Sequence, residues 1–296
     1  MFTPKISIPK GNRACEKISH EIPLSIINEH QDFISDYMFV LLHKILEDKE
    51  YANLALEFSD HGEIIYLDNS CFELGESLDN ELLYEWYQRI EPEYVILPDV
   101  LGDKETTLQR TMEFVNSYPD TISQGMPVAQ GATQDELIDC YKQFRDFSRE
   151  GEDHFNIIGI PFVYSWAEKD PTIQADERIK LLKRMVEEDV IDTNLKHHLL
   201  GTWQAREFCN YRDYNWIYSI DTSNPVMAAL DGDLYGNLGR SNKPTSTFDS
   251  VYNLQPEEID FDLLYTNVDK FKEIVTGEWP ERKYPDWIDR NKYDNQ

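Results

Sequence analysis

Three apolar runs in this chain stop on an aspartate: Ile64-Ile65-Tyr66-Leu67-Asp68, Tyr94-Val95-Ile96-Leu97-Pro98-Asp99 and Trp216-Ile217-Tyr218-Ser219-Ile220-Asp221. A carboxylate at the end of a short buried strand is partly desolvated and fixed by a rigid element, which suits a nucleophile or a general base. Two such groups facing one reacting carbon divide the labour, one attacking while the other moves a proton, as in displacement at an anomeric carbon. The competing explanation at each position is a helix cap. Asp221, for instance, precedes the apolar segment Val226-Met227-Ala228-Ala229-Leu230 and could serve only to start that helix.

The same punctuation continues with neutral groups. Met126-Pro127-Val128-Ala129-Gln130 ends on an amide, Asn156-Ile157-Ile158-Gly159 on a glycine, and His198-Leu199-Leu200-Gly201 on another. A third carboxylate with a glutamine and bare glycine backbone offers acceptors and donors in one plane, which matches the edge of a nucleobase. No metal is expected, because the histidines show no HExxH spacing and the cysteines form no cluster; His197-His198 reads as strand rather than as a ligand pair.

These groups need elements that carry them to one place. Ile6, Val40, Ile65, Ile96, Val128, Ile158, Leu199 and Ile217 are centres of short apolar runs, with helical patterns between most of them. Thr133 with Glu136 makes a capping box ahead of one helix, and another ends at His61-Gly62. Strands alternating with helices imply a parallel α/β fold, and eight of them suggest a (β/α)8 TIM barrel, with a doubly wound open sheet as the alternative. No GxGxxG fingerprint follows any strand, so dinucleotide binding has no support. With no linker in the composition, residues 1–296 are read as one domain, the aromatic tail 276–296 packing on it. On the barrel reading, His43, Asp68, Asp99, Gln130, Gly159, Gly201 and Asp221 gather on the face where the C-terminal strand ends open.

Composition sets the limits. The 296 residues are 41% hydrophobic and 12% aromatic, enough for a substantial core. No run approaches the roughly 18 apolar residues of a membrane span, and the first residues lack the apolar segment of a secretory signal, so a cytoplasmic protein is expected. Cys15, Cys71, Cys140 and Cys209 are far apart, which predicts isolated thiols. The 56 acidic and 28 basic residues give a net charge of -28, a field that opposes strong non-specific binding to nucleic acid. Two local basic strips remain, around Lys10 and Arg13 and around Arg240 and Lys243; they are candidate phosphate contacts or solvated arms.

The ordered segments resemble the tRNA-guanine transglycosylases, and more closely their phage-encoded relatives that place 7-deazaguanine bases in DNA. Leu67-Asp68-Asn69-Ser70-Cys71-Phe72 is similar to the family's Asp-Ser-Gly-Gly-Phe segment, and Pro98-Asp99-Val100 to its base-reading aspartate segment. Val128-Ala129-Gln130-Gly131 resembles Val-Gln-Gly, Leu199-Leu200-Gly201 resembles Leu-Met-Gly, and Ile220-Asp221-Thr222-Ser223-Asn224-Pro225 resembles the Phe-Asp-Cys-x-x-Pro segment of the nucleophile. The likeness runs in order from about residue 36 to about 245. Two departures stand out. Ser70-Cys71 replaces a glycine pair, and the zinc subdomain of the tRNA enzymes is missing, since no cysteine follows Cys209.

The resemblance implies exchange of guanine for a 7-deazaguanine such as preQ0 or preQ1 without a cofactor. Asp221 would be the nucleophile and Asp68 the proton-handling group, with Asp99, Gln130, Gly159, Gly201 and Phe72 around the base. The missing zinc subdomain favours DNA as acceptor over tRNA, with a helper subunit or a homo-oligomer as possible partners and no membrane. A phage-encoded protein of this kind would work in the host cytoplasm. Other classes remain open: a retaining glycoside hydrolase, which needs carboxyl groups about 5 Å apart and sugar-stacking tryptophans, and a non-enzymatic acidic DNA mimic.

Overall fold

The computed structural model describes residues 15–150, 154–162, 166–167, 170–236, 239, 248–277, 285, 287–289 and 292–293. In chain order the elements are β1 (Lys17–His20), α1 (Leu24–Ile34), β2 (Met38–Leu41), α2 (Leu42–Glu47), α3 (Lys49–Asp60), β3 (Ile65–Asp68), α4 (Cys71–Leu74), α5 (Asn80–Ile90), β4 (Tyr94–Ile96) and α6 (Lys104–Ser117). They continue with β5 (Gly125–Met126), α7 (Gln134–Glu150), β6 (Ile157–Ile160), α8 (Pro171–Glu187), β7 (Lys196–Leu199), β8 (Ile217–Thr222), α9 (Asn224–Leu230), α10 (Phe248–Val251) and α11 (Phe261–Thr276). This is an α/β fold whose strands pair in parallel. The chain divides into two compact units, Asp36–Gly201 and a discontinuous one made of Met1–Ser35 with Thr202–Gln296.

In the Asp36–Gly201 unit, β2 pairs with β3, β3 with β4 and β4 with β5. β6 pairs with β7, and a parallel bridge between Val128 and Gly159 carries the order from β5 to β6. Six strands thus stand side by side in chain order, with helices in the crossovers that parallel pairing demands. The helices start where the sequence places acidic caps. The side chains of Asp48, Asp79, Asp103 and Asp170 accept backbone N–H groups at the starts of α3, α5, α6 and α8. Each such cap contributes about 1 kcal/mol. At α7, Thr133 Oγ accepts the Glu136 N–H at 3.2 Å while the Glu136 carboxylate accepts the Ala132 N–H at 2.8 Å, a capping box displaced by one residue.

This array is curled. Phe39 on β2 and His198 on β7, from its two edges, stack with ring centroids 5.9 Å apart. Tyr66 on β3 lies edge-on to both His198 and Tyr94, and Lys196 Nζ on β7 donates to the Tyr94 hydroxyl on β4 at 3.0 Å. The inner faces of β2, β3, β4 and β7 therefore meet in one aromatic layer. Since alternate residues of a strand share a face, Asp68 projects to the same side as Tyr66, at the C-terminal edge of that layer.

In the other unit, β1 lies parallel to β8, with Lys17 opposite Ser219 and Ser19 opposite Asp221. Helices α9 and α11 pack together, and buried Asn267 ties them to the following loop by accepting the Tyr235 N–H and donating to the Asp233 carbonyl. Arg212 donates to the carbonyls of Ile274 and Val275 near the end of α11. Within the 276–296 tail, Trp287 meets Phe261 edge-on at 5.3 Å and the Tyr293 hydroxyl donates to Asp260, the N-cap of α11, at 2.6 Å. Trp279 and Tyr284 lie outside the described residues.

Several expectations shift. The strand expected around Ile6 falls outside the described residues, and the strand that pairs with β8 is Lys17–His20, which sequence pattern did not mark. β5 is only Gly125–Met126, Val128 taking part through a single bridge. Asp99 follows β4 by three residues rather than ending it, and Gly159 sits inside β6 rather than at its end.

Candidate functional site

Asp99 is 3% exposed and held on both carboxylate oxygens: Asn69 Nδ2 donates to one at 2.8 Å and Gln130 Nε2 to the other at 2.7 Å. The same Asn69 nitrogen also donates to the Leu97 carbonyl, and its Oδ1 accepts the Cys71 N–H at 2.8 Å. Gln130 Oε1 accepts the Gly102 N–H at 3.1 Å. The result is a rigid acceptor group with its remaining lone pairs fixed in direction. Burial pushes the Asp99 carboxyl above its ordinary range, against the hydrogen bonds from Asn69 and Gln130, which favour the ionised form.

Asp68 reaches the same short segment from the end of β3. Its Oδ2 accepts the Ser70 N–H at 2.7 Å. Ser70 has φ of 62°, a left-handed conformation that glycine adopts freely and serine does not. Its hydroxyl is fully committed in return: Ser70 Oγ lies 3.0 Å from the His43 backbone nitrogen, which donates to it, and 2.9 Å from His43 Nδ1. His43, expected at a strand end, is in the first turn of α2, where it braces the loop that orients Asp68. Next to it, burial and then the nearby Asp99 charge push the Cys71 thiol far up, so it is a packed thiol and no nucleophile. Asp68, Asp99 and Gln130 are thus brought together around residues 68–71.

Asp221 belongs to the other unit. It is 9% exposed, next to last in β8, and its carbonyl accepts the Thr202 N–H at 2.9 Å. The helix that follows has Ser223 as N-cap and no side-chain cap bond. Asp221 is therefore not a helix cap, unlike Asp48, Asp79, Asp103, Asp170 and Asp260.

The two glycines differ. A Cβ on Gly159 would lie 2.8 Å from Leu200 Cδ1 and 3.1 Å from Val128 Cγ2, so close packing requires glycine there. Its N–H donates to the Pro127 carbonyl and its carbonyl accepts from the Ala129 N–H. Gly201 has φ of 62° and ends a turn that wholly buried Arg178 secures by donating to the Leu200 carbonyl at 2.7 Å. Phe72 is 56% exposed on α4, with Leu74 exposed two residues on. Lys10, Arg13, Arg240 and Lys243 lie outside the described residues.

The sequence assigned no role to Asn69 or Ser70, although both stand inside the segment quoted for Asp68. Asparagine directly after a strand-end aspartate was a usable signal. His197 and His198 are core groups, His197 Nε2 lying 2.8 Å from the Tyr141 hydroxyl and His198 stacking on Phe39. Among the described residues no group of three or more histidine, cysteine, aspartate or glutamate side chains is placed to hold a metal ion. No described helix is long and apolar enough to cross a membrane. A scan against protein-family models and a search of curated proteins each find no match to this chain.

Proposed function

We propose that this protein is a base-exchange transglycosylase that replaces guanine in DNA with a 7-deazaguanine through a covalent glycosyl-aspartate. The observation that carries the reading is Asp221: a buried carboxylate near a strand's C-terminal end that caps no helix, in a chain that uses aspartate caps freely elsewhere. The braced Asp99, joined to Gln130 and Asn69, supports base recognition, since it offers an acceptor of fixed direction to ring and exocyclic N–H groups. Asp68, aimed by the Ser70 N–H, suits proton transfer. The parallel strands in chain order and the curl of β2 to β7 favour the (β/α)8 barrel as the finer description of the fold.

In the first step a carboxylate oxygen of Asp221 bonds to C1′ as the bond from C1′ to guanine N9 breaks, and the departing guanine takes up a proton at N9. In the second, the entering 7-deazaguanine gives up its N9 proton. That nitrogen bonds to C1′, and the ester bond to Asp221 breaks. The proton balance closes and neither metal nor cofactor is required. In duplex DNA the target nucleotide must first leave the stack, and exposed Phe72 would offer a face for the base.

Incubation with guanine-containing DNA followed by denaturing electrophoresis tests the covalent step. A protein-linked strand should form with wild type and be absent with Asp221→Ala. An adduct formed equally by that variant would refute the assignment, and an adduct with tRNA alone would move the acceptor to RNA.

A further inference from the structure

Resting on the reading of Asp221 as the group that attacks C1′, we propose that Ser19 and Asn224 form its pentose subsite, holding the furanose and ester oxygens of the acceptor nucleotide. Ser19 is the register partner of Asp221 across β1 and β8. Register partners in a parallel pair project to the same side of the sheet, so the Ser19 hydroxyl and the Asp221 carboxylate are neighbours on one face, with Ser219 two residues before on the same side. Asn224 follows Asp221 by three residues, its backbone fixed by the bond from its N–H to Thr222 Oγ1 at 3.1 Å.

Both side chains are buried, Ser19 at 1% and Asn224 at 4% exposure. Yet Ser19 Oγ and both ends of the Asn224 amide have no hydrogen-bond partner among the described residues. A buried amide without partners is destabilising, and it stands here at the head of an otherwise apolar helix, Pro225-Val226-Met227-Ala228-Ala229, whose residues are all buried. An aliphatic side chain of the same size would serve packing better. The polar choice gains its use when a ligand completes the bonds. A hydroxyl and an amide N–H donate to acceptors, and a deoxyribose within a strand offers only acceptors: its ring oxygen and its ester oxygens. A ribose would add a 2′-hydroxyl able to donate to Asn224 Oδ1. Two donors beside the attacking carboxylate fix the sugar so that C1′ faces Asp221.

The probe is a short single-stranded DNA carrying one tetrahydrofuran residue, which keeps the furanose and both phosphates and lacks the base. Its control carries an acyclic propanediol in the same place. Binding of both to the full-length chain is read by fluorescence anisotropy for wild type, Asn224→Leu and Ser19→Ala, together with thermal unfolding and, separately, guanine exchange. Wild type should prefer the tetrahydrofuran strand, and Asn224→Leu should lose about tenfold in affinity for it, with an unchanged or raised unfolding temperature. Ser19→Ala should lose less in the same direction. A ribose-containing strand bound more tightly than the DNA probe by wild type, and not by Asn224→Leu, supports the subsite and assigns the acceptor to RNA. Absence of exchange with the furanose preference intact removes the transglycosylase reading and leaves the subsite standing. No furanose preference in wild type, or the same preference in both variants, overturns the proposal.

Discussion

The Gln130 amide nitrogen donates to the Asp99 carboxylate at 2.7 Å, joining a residue after β5 to one after β4 inside a region closed to solvent. Asn69 completes the arrangement from the loop after β3. Three consecutive strand ends are thereby locked to one another by side chains, and this lock is the most specific feature of the Asp36–Gly201 unit.

Asp99→Asn tests it twice. The variant places an amide NH2 against one of two donors, so recognition of a base edge should weaken and kcat/KM for exchange fall by about 10- to 100-fold. The second readout is pH. Burial raises the folded-state pKa of Asp99 above the ordinary 3.8, so between these values the folded chain binds more protons than the unfolded one. The stabilisation associated with this group is then fully present below the ordinary value and is lost as pH rises through the raised one. In urea unfolding across pH, wild type should decline relative to Asp99→Asn as pH increases. A relative gain would contradict the assignment of the shift to burial.

Ser70 separates strain from hydrogen bonding. Ser70→Ala keeps the left-handed strain at φ of 62° and removes the two contacts to His43, so it should cost about 1–2 kcal/mol in urea unfolding. Ser70→Gly also removes those contacts but relieves the strain, and should recover about 0.5–1 kcal/mol of that loss. Equal destabilisation by both would show that the backbone at this position carries no strain.

Much of this architecture was legible beforehand. Val40, Ile65, Ile96, Ile158, Leu199 and Ile217 all fall in strands, because short apolar runs broken by polar residues are what buried parallel strands look like, whereas Val128 lies two residues past the short β5. Lys17–His20 escaped because only Ile18 of its four residues is apolar, so the strand carries no hydrophobic run. The Asn69–Asp99 bond was invisible for another reason: it joins residues 30 apart through side chains, and no local pattern encodes a non-local amide. The cap explanation for Asp221 could be decided only by seeing Ser223 in that role.

Gly159→Ala should destabilise by about 1–3 kcal/mol, since its methyl group would press on Leu200 and Val128 at the bridge between β5 and β6. Chemical denaturation reads the loss directly. A neutral effect would mean that this junction relaxes easily and does not hold the six-strand order.

The thiols give a chemical check. Burial pushes Cys71 far up and Cys140 up to about 12, so neither is a thiolate at neutral pH. Iodoacetamide followed by peptide mass spectrometry should leave both unmodified in the native chain and label both after unfolding. Rapid native labelling of Cys71 would contradict the packing around Asp99.

Nucleoside analysis identifies the base that ends up on C1′. DNA and tRNA are incubated separately with the protein and preQ0, digested, and examined by mass spectrometry. A 7-deazaguanine 2′-deoxynucleoside should appear in DNA treated with wild type and be absent with Asp221→Ala; modified nucleosides from neither nucleic acid, or the same yield from Asp221→Ala as from wild type, would refute the transglycosylase reading.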